Sequence, residues 1–256
     1  MRVFHGFDLS SVLHKPVVTV GSFDGVHVGH RQLLNIVKQH AQRTGGESVV
    51  VTFANHPRTF LHADDGLRLL STQEEKIWLL GREGIDCLVI VQFDEAFRRL
   101  SPEEFVRGLL IDKLGAEELV VGYNHRFGHN HTGNYNLLDK MQQDYGIRVS
   151  RLLRQEVEGE KVSSTVVRDA IEAGDMSRAS KLLGHPYLLI GDLDAEGVVR
   201  CGDPLKLLPP PGNYPVCFPE NGMAAKGTLH VSDEGILRLE QRDVPSGHVG
   251  IEFLGE

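Results

Sequence analysis

A chain of 256 residues, 41% hydrophobic and 24% charged, can bury one large core or two modest ones and has the composition of a soluble globular protein. Its formal net charge of −8 weighs against broad attraction to nucleic acid or to an anionic membrane, while leaving room for a local basic pocket. The three cysteines, Cys87, Cys201 and Cys217, form no C-x-x-C pair, so a reduced compartment is expected rather than a disulfide framework or a zinc knuckle. Residues Met1 to Pro16 mix charges and histidines with apolar residues and lack the apolar core of a signal peptide. No apolar run approaches the ~20 residues of a membrane span. A soluble cytoplasmic protein is expected.

From Val17 to about Gly184 strand-like and helix-like segments alternate. Apolar runs at Val17–Val20, Ser48–Phe53, Cys87–Val91, Leu119–Val121 and Ile147–Leu152 read as strands, several of them buried on both faces. Helical patterns fall at His30–Thr44, Thr72–Arg82, Pro102–Leu114 and Tyr135–Tyr145. The helix at Pro102 has a clear start: Ser101 as N-cap, proline at the first helical position, then Glu103 and Glu104 against the dipole. This β-α alternation predicts an α/β fold with a doubly wound parallel sheet, whose ligands sit beyond the carboxyl ends of the strands. The pattern changes near Gly184-His185-Pro186. Short strand-like segments follow at Tyr187–Gly191, Tyr214–Phe218, Ala225–Val231, Ile236–Gln241 and Val249–Phe253, with the turn cluster Pro209 to Asn213 among them. They predict a small antiparallel β domain, a partial barrel. The expected division is residues 1–185 and 186–256.

The most informative segment is Thr19 to His30, where a strand hands over to a helix through Gly21, Gly25 and Gly29. Free N–H groups and partial positive charge at a helix start attract anions. His27 and His30, three apart, share one face of the first turn and can donate hydrogen bonds to a polyphosphate without the permanent charge of lysine. Taken singly, a histidine is more often structural and glycines after a strand mark only a turn. The whole string G-x-x-D-G-x-H-x-G-H at one strand-to-helix junction resembles the HxGH signature of the adenylyltransferase and cytidylyltransferase superfamily. In its longer form, with Phe23, it is similar to the prokaryotic FAD synthetases, whose adenylyltransferase part is often fused to a riboflavin kinase.

The resemblance continues in order along the chain, from about Val17 to Pro186. Ser163-Ser164-Thr165 before a helical pattern is first an N-cap signal, but Arg168 stands one turn in, on the face of Ser164 and Thr165. Hydroxyls, free N–H groups and a guanidinium at a helix start make a second phosphate cradle, and the run resembles the family's S-S-T-x-x-R motif. Thr52 to Pro57 resembles T-F-x-x-H-P, with Asn55 where the family more often has proline. Gly122 to Gly128 resembles G-x-N-F-R-F-G, with His125 in place of phenylalanine.

The resemblance implies FMN adenylyltransfer, FMN + ATP → FAD + pyrophosphate, with ATP carrying Mg²⁺. His27 and His30 would act on the α- and β-phosphates, and Arg168 with Ser164 and Thr165 on the β- and γ-phosphates, with Ser163 also among the ATP-binding residues. Gly21, Gly25 and Gly29 would allow close approach of the nucleotide, while Phe23 and Asp24 shape the turn. Phe53, His56, Pro57, Asn124, Arg126 and Phe127 would contribute to the flavin pocket. His125, His129 and His131 have no nearby cysteine or obvious carboxylate and read as a substrate loop rather than a metal site; no protein-held metal is expected. The C-terminal part departs from the bifunctional pattern. Gly197 to Asp203 runs almost directly into Leu207 to Tyr214, no P-T-A-N motif occurs in the chain, and Glu252 is too isolated to be assigned as a kinase base. Residues from Pro186 onward therefore read as a degenerate kinase-like barrel without activity. Two other readings stay open: another phosphomonoester acceptor or a cytidylyl donor, and a flavin-binding or regulatory protein derived from the enzyme. Small-molecule substrates are expected, with neither nucleic acid nor membrane as partner and the oligomeric state open.

Overall fold

The computed structural model describes residues 1–61, 66–122, 126–152, 156–157, 160–219, 225–240 and 245–255. In chain order the elements are β1 (Arg2–His5), β2 (Val17–Val20), α1 (Val28–Thr44), β3 (Ser48–Phe53), α2 (Pro57–Leu61), α3 (Gln73–Arg82), β4 (Cys87–Val91), α4 (Glu95–Arg99), a π-helix (Glu104–Lys113), β5 (Glu118–Val121), α5 (Tyr135–Tyr145) and β6 (Arg148–Arg151). Then come the short pair β7 (Glu156–Val157) and β8 (Glu160–Lys161), α6 (Ser164–Glu172), α7 (Met176–Leu183), β9 (Tyr187–Leu193), β10 (Val198–Cys201), β11 (Gly212–Phe218), β12 (Ala225–Val231), β13 (Leu237–Leu239) and β14 (Gly247–Phe253). They form two compact units: Met1–Phe23, His30–Gly66 and Leu80–Gln155 in the first; Asp24–Gly29, Leu67–Leu79 and Glu156–Glu256 in the second.

The first unit is built on a six-stranded sheet of order β1-β4-β3-β2-β5-β6, parallel throughout. Its central strands β3 (SVVVTF) and β4 (CLVIV) are buried at every position, as strands covered on both faces must be. Successive strands are added on one side of β2 and then on the other, so the topological switch point lies between β2 and β5. The sequence did not announce β1. It is an edge strand with mostly exposed residues, pairing with β4 alone, so it carries no buried apolar run. The helix expected at Pro102–Leu114 starts with a reciprocal cap, Ser101 N–H to Glu104 Oε2 at 2.8 Å and Glu104 N–H to Ser101 Oγ at 3.2 Å. It then widens into a π-helix that ends with Leu114 N–H bonding the Leu109 carbonyl at 3.1 Å. Helix α5 keeps its expected limits, capped by the Asn134 side chain at one end and closed by left-handed Gly146 at the other.

In the second unit six antiparallel strands close into a barrel of order β10-β13-β12-β11-β14-β9. The sequence suggested only part of a barrel. Strand β10, unread because Val198–Cys201 is only four residues long and carries Arg200, pairs with both β9 and β13 and completes the ring. One apolar cluster joins the barrel interior (Tyr187, Val216, Leu229, Ile251, Phe253) to Val167 and Ile171 of α6 and Leu182 and Leu183 of α7. Helices α6 and α7 thus share the barrel's core. Among the described residues no helix is long and apolar enough to cross a membrane.

Candidate active site

The turn after β2 is held in an uncommon backbone shape. Phe23, Gly25 and Val26 have φ of 48°, 75° and 41°, left-handed values that a β-branched valine rarely takes. A side chain at Gly25 would be strained by φ alone, and its Cβ would lie 2.9 Å from Leu70 Cδ1. Such a turn persists only if its surroundings over-determine it, and they do. Asp24, Gly25, Val26 and His27 are all buried.

Within the second unit the Asp24 carboxylate is the hub. Its Oδ1 accepts the Ser71 N–H at 3.0 Å and the Ser71 hydroxyl at 3.3 Å, and its Oδ2 pairs with Nη2 of Arg168. The Asp24 carbonyl accepts the Ser164 hydroxyl at 3.2 Å, while Gly25 N–H donates to Ser71 Oγ at 3.0 Å. Arg168 completes its own bonding with Nε to the Arg68 carbonyl at 2.7 Å. His185, just before the barrel, sets one ring nitrogen 3.1 Å from the Gly25 carbonyl and the other 2.8 Å from the Pro186 carbonyl. Ser163 caps α6 by accepting Val166 N–H at 3.4 Å; Thr165 is exposed. Parts of the two expected phosphate cradles, Asp24 to Gly29 and Ser163 to Arg168, belong to one unit and are joined at Asp24, while Gly21 and His30 belong to the first unit.

His27 is 8% exposed, and burial pulls its pKa down to about 4, against the opposing charge of Asp24 and with His185 and Arg168 adding to the drop. It is a neutral imidazole at pH 7, a hydrogen-bond donor without charge. Its ring crowds Gly29: a Cβ there would lie 3.2 Å from His27 Cε1, so glycine leaves the imidazole its place. Lys76, which the sequence reading missed, is buried too. Desolvation lowers its pKa while the Asp24 carboxylate pulls the other way. A lysine inside a helical pattern gives no sequence signal of this kind, because burial is a property of the packing.

The first unit carries the remaining candidates. Gly21 N–H bonds the Val51 carbonyl at 3.1 Å, and Thr52 Oγ1 donates to the Ser22 carbonyl at 3.1 Å, tying the ends of β2 and β3 together. The Phe23 and His30 rings lie 5.0 Å apart and tilted. Phe53 ends β3 in an aromatic group, its ring 5.5 Å from that of Phe93 and 5.4 Å from that of Phe97. Asn55, the residue standing in place of proline, has a job of its own. Its Nδ2 donates to the Phe93 carbonyl at 2.8 Å and its Oδ1 accepts Phe93 N–H at 2.9 Å. His56 accepts the Arg58 N–H at 3.2 Å and Pro57 opens α2, both half-buried. At the carboxyl ends of β1, β3 and β4 lies an open, largely apolar cavity of about 530 Å³, lined by Phe7, Ala54, Val91, Phe97 and Leu100 among others. Phe127 is buried in the sheet unit's core, 5.8 Å from the Phe105 ring, and Arg126 is exposed. Asn124 and His125 lie outside the described residues. His129 sets Nδ1 3.3 Å from the Arg98 carbonyl.

A parallel α/β sheet with a glycine–histidine turn after the strand beside its switch point, carried in one chain with a closed six-stranded barrel, defines a Rossmann-like protein with an appended β-barrel. The chain belongs to the FAD synthetase family, whose profile matches residues 9–166, more than half of its length. A bifunctional riboflavin kinase/FMN adenylyltransferase of Pseudomonas fluorescens is 35% identical over 175 residues, 68% of this chain and 56% of that protein. The protein of the same name in Buchnera aphidicola subsp. Acyrthosiphon pisum (strain APS) is 31% identical over 192 residues, 75% and 61% of the two chains. That of Escherichia coli (strain K12) is 33% identical over 175 residues. The chain spans 56–61% of the length of these curated relatives. Among solved structures, one described as a macrolide-efflux protein from Streptococcus pneumoniae has a TM-score of 0.84 at 23% identity, covering 100% of this chain and 91% of that one. At that identity the likeness is one of fold.

Proposed function

We propose that this chain is an FMN adenylyltransferase, passing AMP from Mg²⁺-bound ATP to FMN and releasing pyrophosphate, in the cytoplasm. The observation that carries the reading is the shared hub: a strained, buried turn with a neutral histidine, and a serine-capped helix start with an arginine, are pinned to one carboxylate. An FMN phosphate oxygen attacks the α-phosphorus in line, a new O–P bond forms, and the bond to the pyrophosphate oxygen breaks. No covalent protein nucleophile is needed. Alignment and stabilisation of charge on the equatorial oxygens supply the acceleration.

In this scheme His27 and His30 donate hydrogen bonds to the α-phosphate as its charge grows. Arg168, held by Asp24, supplies a preorganised positive charge for the leaving pyrophosphate, with Ser163, Ser164 and Thr165. Gly21, Gly25 and Gly29 let the nucleotide approach the backbone. Mg²⁺ enters with ATP, held by phosphate oxygens and water. Phe53, His56, Pro57, Asn124, Arg126 and Phe127 serve the flavin, whose apolar ring system is matched in character by the aromatic group around Phe93. The functional division we propose, adenylyltransferase over residues 1–185 and kinase-like barrel over 186–256, differs from the packing division, because α6 and α7 share the barrel's core. Riboflavin kinase activity is absent in this reading, and the host then needs a separate kinase.

The test is one assay with two flavins. Purified protein, ATP and Mg²⁺ are incubated with FMN or with riboflavin, and products are separated by chromatography. FAD from FMN, with nothing from riboflavin, is the expected result. A phosphorylated product from riboflavin overturns the silent-kinase part. Turnover of neither flavin moves the chain to another acceptor or to a flavin-binding role.

A further inference from the structure

Between Arg68 and Glu75 the chain forms a strap that touches the phosphate turn on one side and the barrel on the other, all inside the second unit. Toward the turn, Ser71 holds Asp24 and the Gly25 N–H, the Leu70 side chain fills the space a Gly25 Cβ would enter, and the Arg68 carbonyl fixes Arg168. Toward the barrel, Leu69 exchanges two backbone hydrogen bonds with the Leu205–Leu207 segment, at 2.7 and 2.8 Å. The anchor is Lys206. Its ammonium donates to the Leu70 carbonyl at 2.8 Å, to Glu75 Oε2 at 2.6 Å and to the Leu188 carbonyl at 2.6 Å, using all three of its donors. The ammonium also stands 4.1 Å from the centre of the Tyr187 ring.

Glu75 is equally committed. Oε2 also accepts Thr72 N–H at 2.8 Å, while Thr72 Oγ1 accepts Glu75 N–H at 3.2 Å, the reciprocal cap that starts α3. Oε1 accepts the N–H of Ile190, on barrel strand β9, at 2.9 Å. The side chains of Lys206 and Glu75 are 1% and 0% exposed. Replacing such a pair with apolar groups is often neutral for stability, so a buried, fully bonded pair is better evidence of fixed geometry than of stability. Here the geometry it fixes is that of Leu70 and Ser71, the residues against the turn.

We propose that the kinase-like barrel is a positioning element for the nucleotide site, acting through this strap with Lys206, Glu75 and Ser71 as positioning residues. The barrel then has a task without any kinase chemistry. The catalytic readout rests on the adenylyltransferase reading; the binding readout does not. The experiment compares the full chain with Ser71→Ala, Ser71→Thr and the double variant Lys206→Met/Glu75→Gln, which removes the ion pair without stranding either charge. ATP and FMN binding are measured by calorimetry, FAD formation by kinetics, and folding by thermal melting.

Loss of the Ser71 hydroxyl leaves a buried N–H and a carboxylate under-bonded, so ATP affinity should fall about tenfold while FMN affinity stays within about twofold. Threonine, which keeps the hydroxyl, should restore most of it. The double variant should show the same selective loss, and if it does not fold, Lys206→Arg, which keeps the charge but not the ammonium's three-way geometry, decides by the same comparison. Variants with wild-type ATP binding and a lowered melting temperature overturn the proposal, because the strap would then be structural only. Equal loss of ATP and FMN binding overturns it as well. A wild type that binds ATP but makes no FAD sinks the function reading while the strap is still judged by affinity; one that binds no ATP sinks both.

Discussion

The Asp24–Gly29 turn and the Ala54–Leu61 segment both follow buried parallel strands, β2 and β3, and both were candidates for substrate contact. The turn is held by side chains far away in sequence: Ser71, Ser164, Arg168 and His185 all bond to it. Its first four residues are buried, and its left-handed backbone at Gly25 and Val26 survives because that network permits no alternative. The segment after β3 is tied to the end of β4 at its start, by Ala54 N–H to the Val91 carbonyl and by Asn55 to Phe93, and then turns on local bonds. His56 bonds residues two and three positions on, Ala54 to Pro57 are half-buried, and Arg58 and Phe60 are exposed. In the proposed reading a triphosphate would need fixed donors at fixed places, which a buried, cross-linked turn can supply. In the same reading a flat apolar acceptor would need apolar surface more than charged donors, and the aromatic group around Phe93 offers it.

This contrast can be broken at several points, in decreasing order of expected effect. Asp24→Asn leaves the Arg168 charge buried without its carboxylate and should lower unfolding free energy by about 3–5 kcal/mol, read from denaturant melts. A loss under 1 kcal/mol, ordinary for a surface change, would show that the turn is not held by its hub. Next, His27→Ala should cut kcat for FAD formation by about 10²–10³-fold, as removal of one transition-state donor does. The same loss is expected for His30→Ala, and near wild-type turnover in either variant ends the assignment of roles.

The third effect is one of pH. His27 has a folded pKa of about 4 against 6.5 when unfolded, so the unfolded chain takes up the proton first. Its contribution to stability is complete above about pH 6.5 and is lost as pH falls toward 4, amounting to roughly 3 kcal/mol across that window. Unfolding measured at pH 7 and pH 4 should differ less in His27→Gln than in wild type by about that amount. An unchanged pH dependence would place the histidine in water rather than in the turn. The smallest effect belongs to the other region. His56→Ala should raise KM for FMN severalfold with stability altered by no more than about 0.5 kcal/mol. A destabilisation there as large as that of Asp24→Asn would erase the distinction between the two regions.

The sequence by itself determined the parts that local rules govern. The runs at Ser48–Phe53 and Cys87–Val91 are strands because chains buried on both faces are apolar throughout, and Tyr135–Tyr145 is a helix because Asn134 and Gly146 cap it. The glycine–histidine turn and the Ser-Ser-Thr helix start were legible for the same reason, each being a short chemical pattern at an element's end. Only the tertiary structure decided what joins them. No spacing in the chain announces that Asp24 meets Arg168, that Lys76 is buried, or that Lys206 ties the barrel to the strap behind the turn. Nor could the pattern show β1 and β10, a short edge strand and a four-residue strand whose pairing partners identify them. These are long-range facts. Desolvation and pairing between residues that are separate in the chain, 144 positions apart for Asp24 and Arg168, depend on packing, which a one-dimensional pattern of residues does not encode locally.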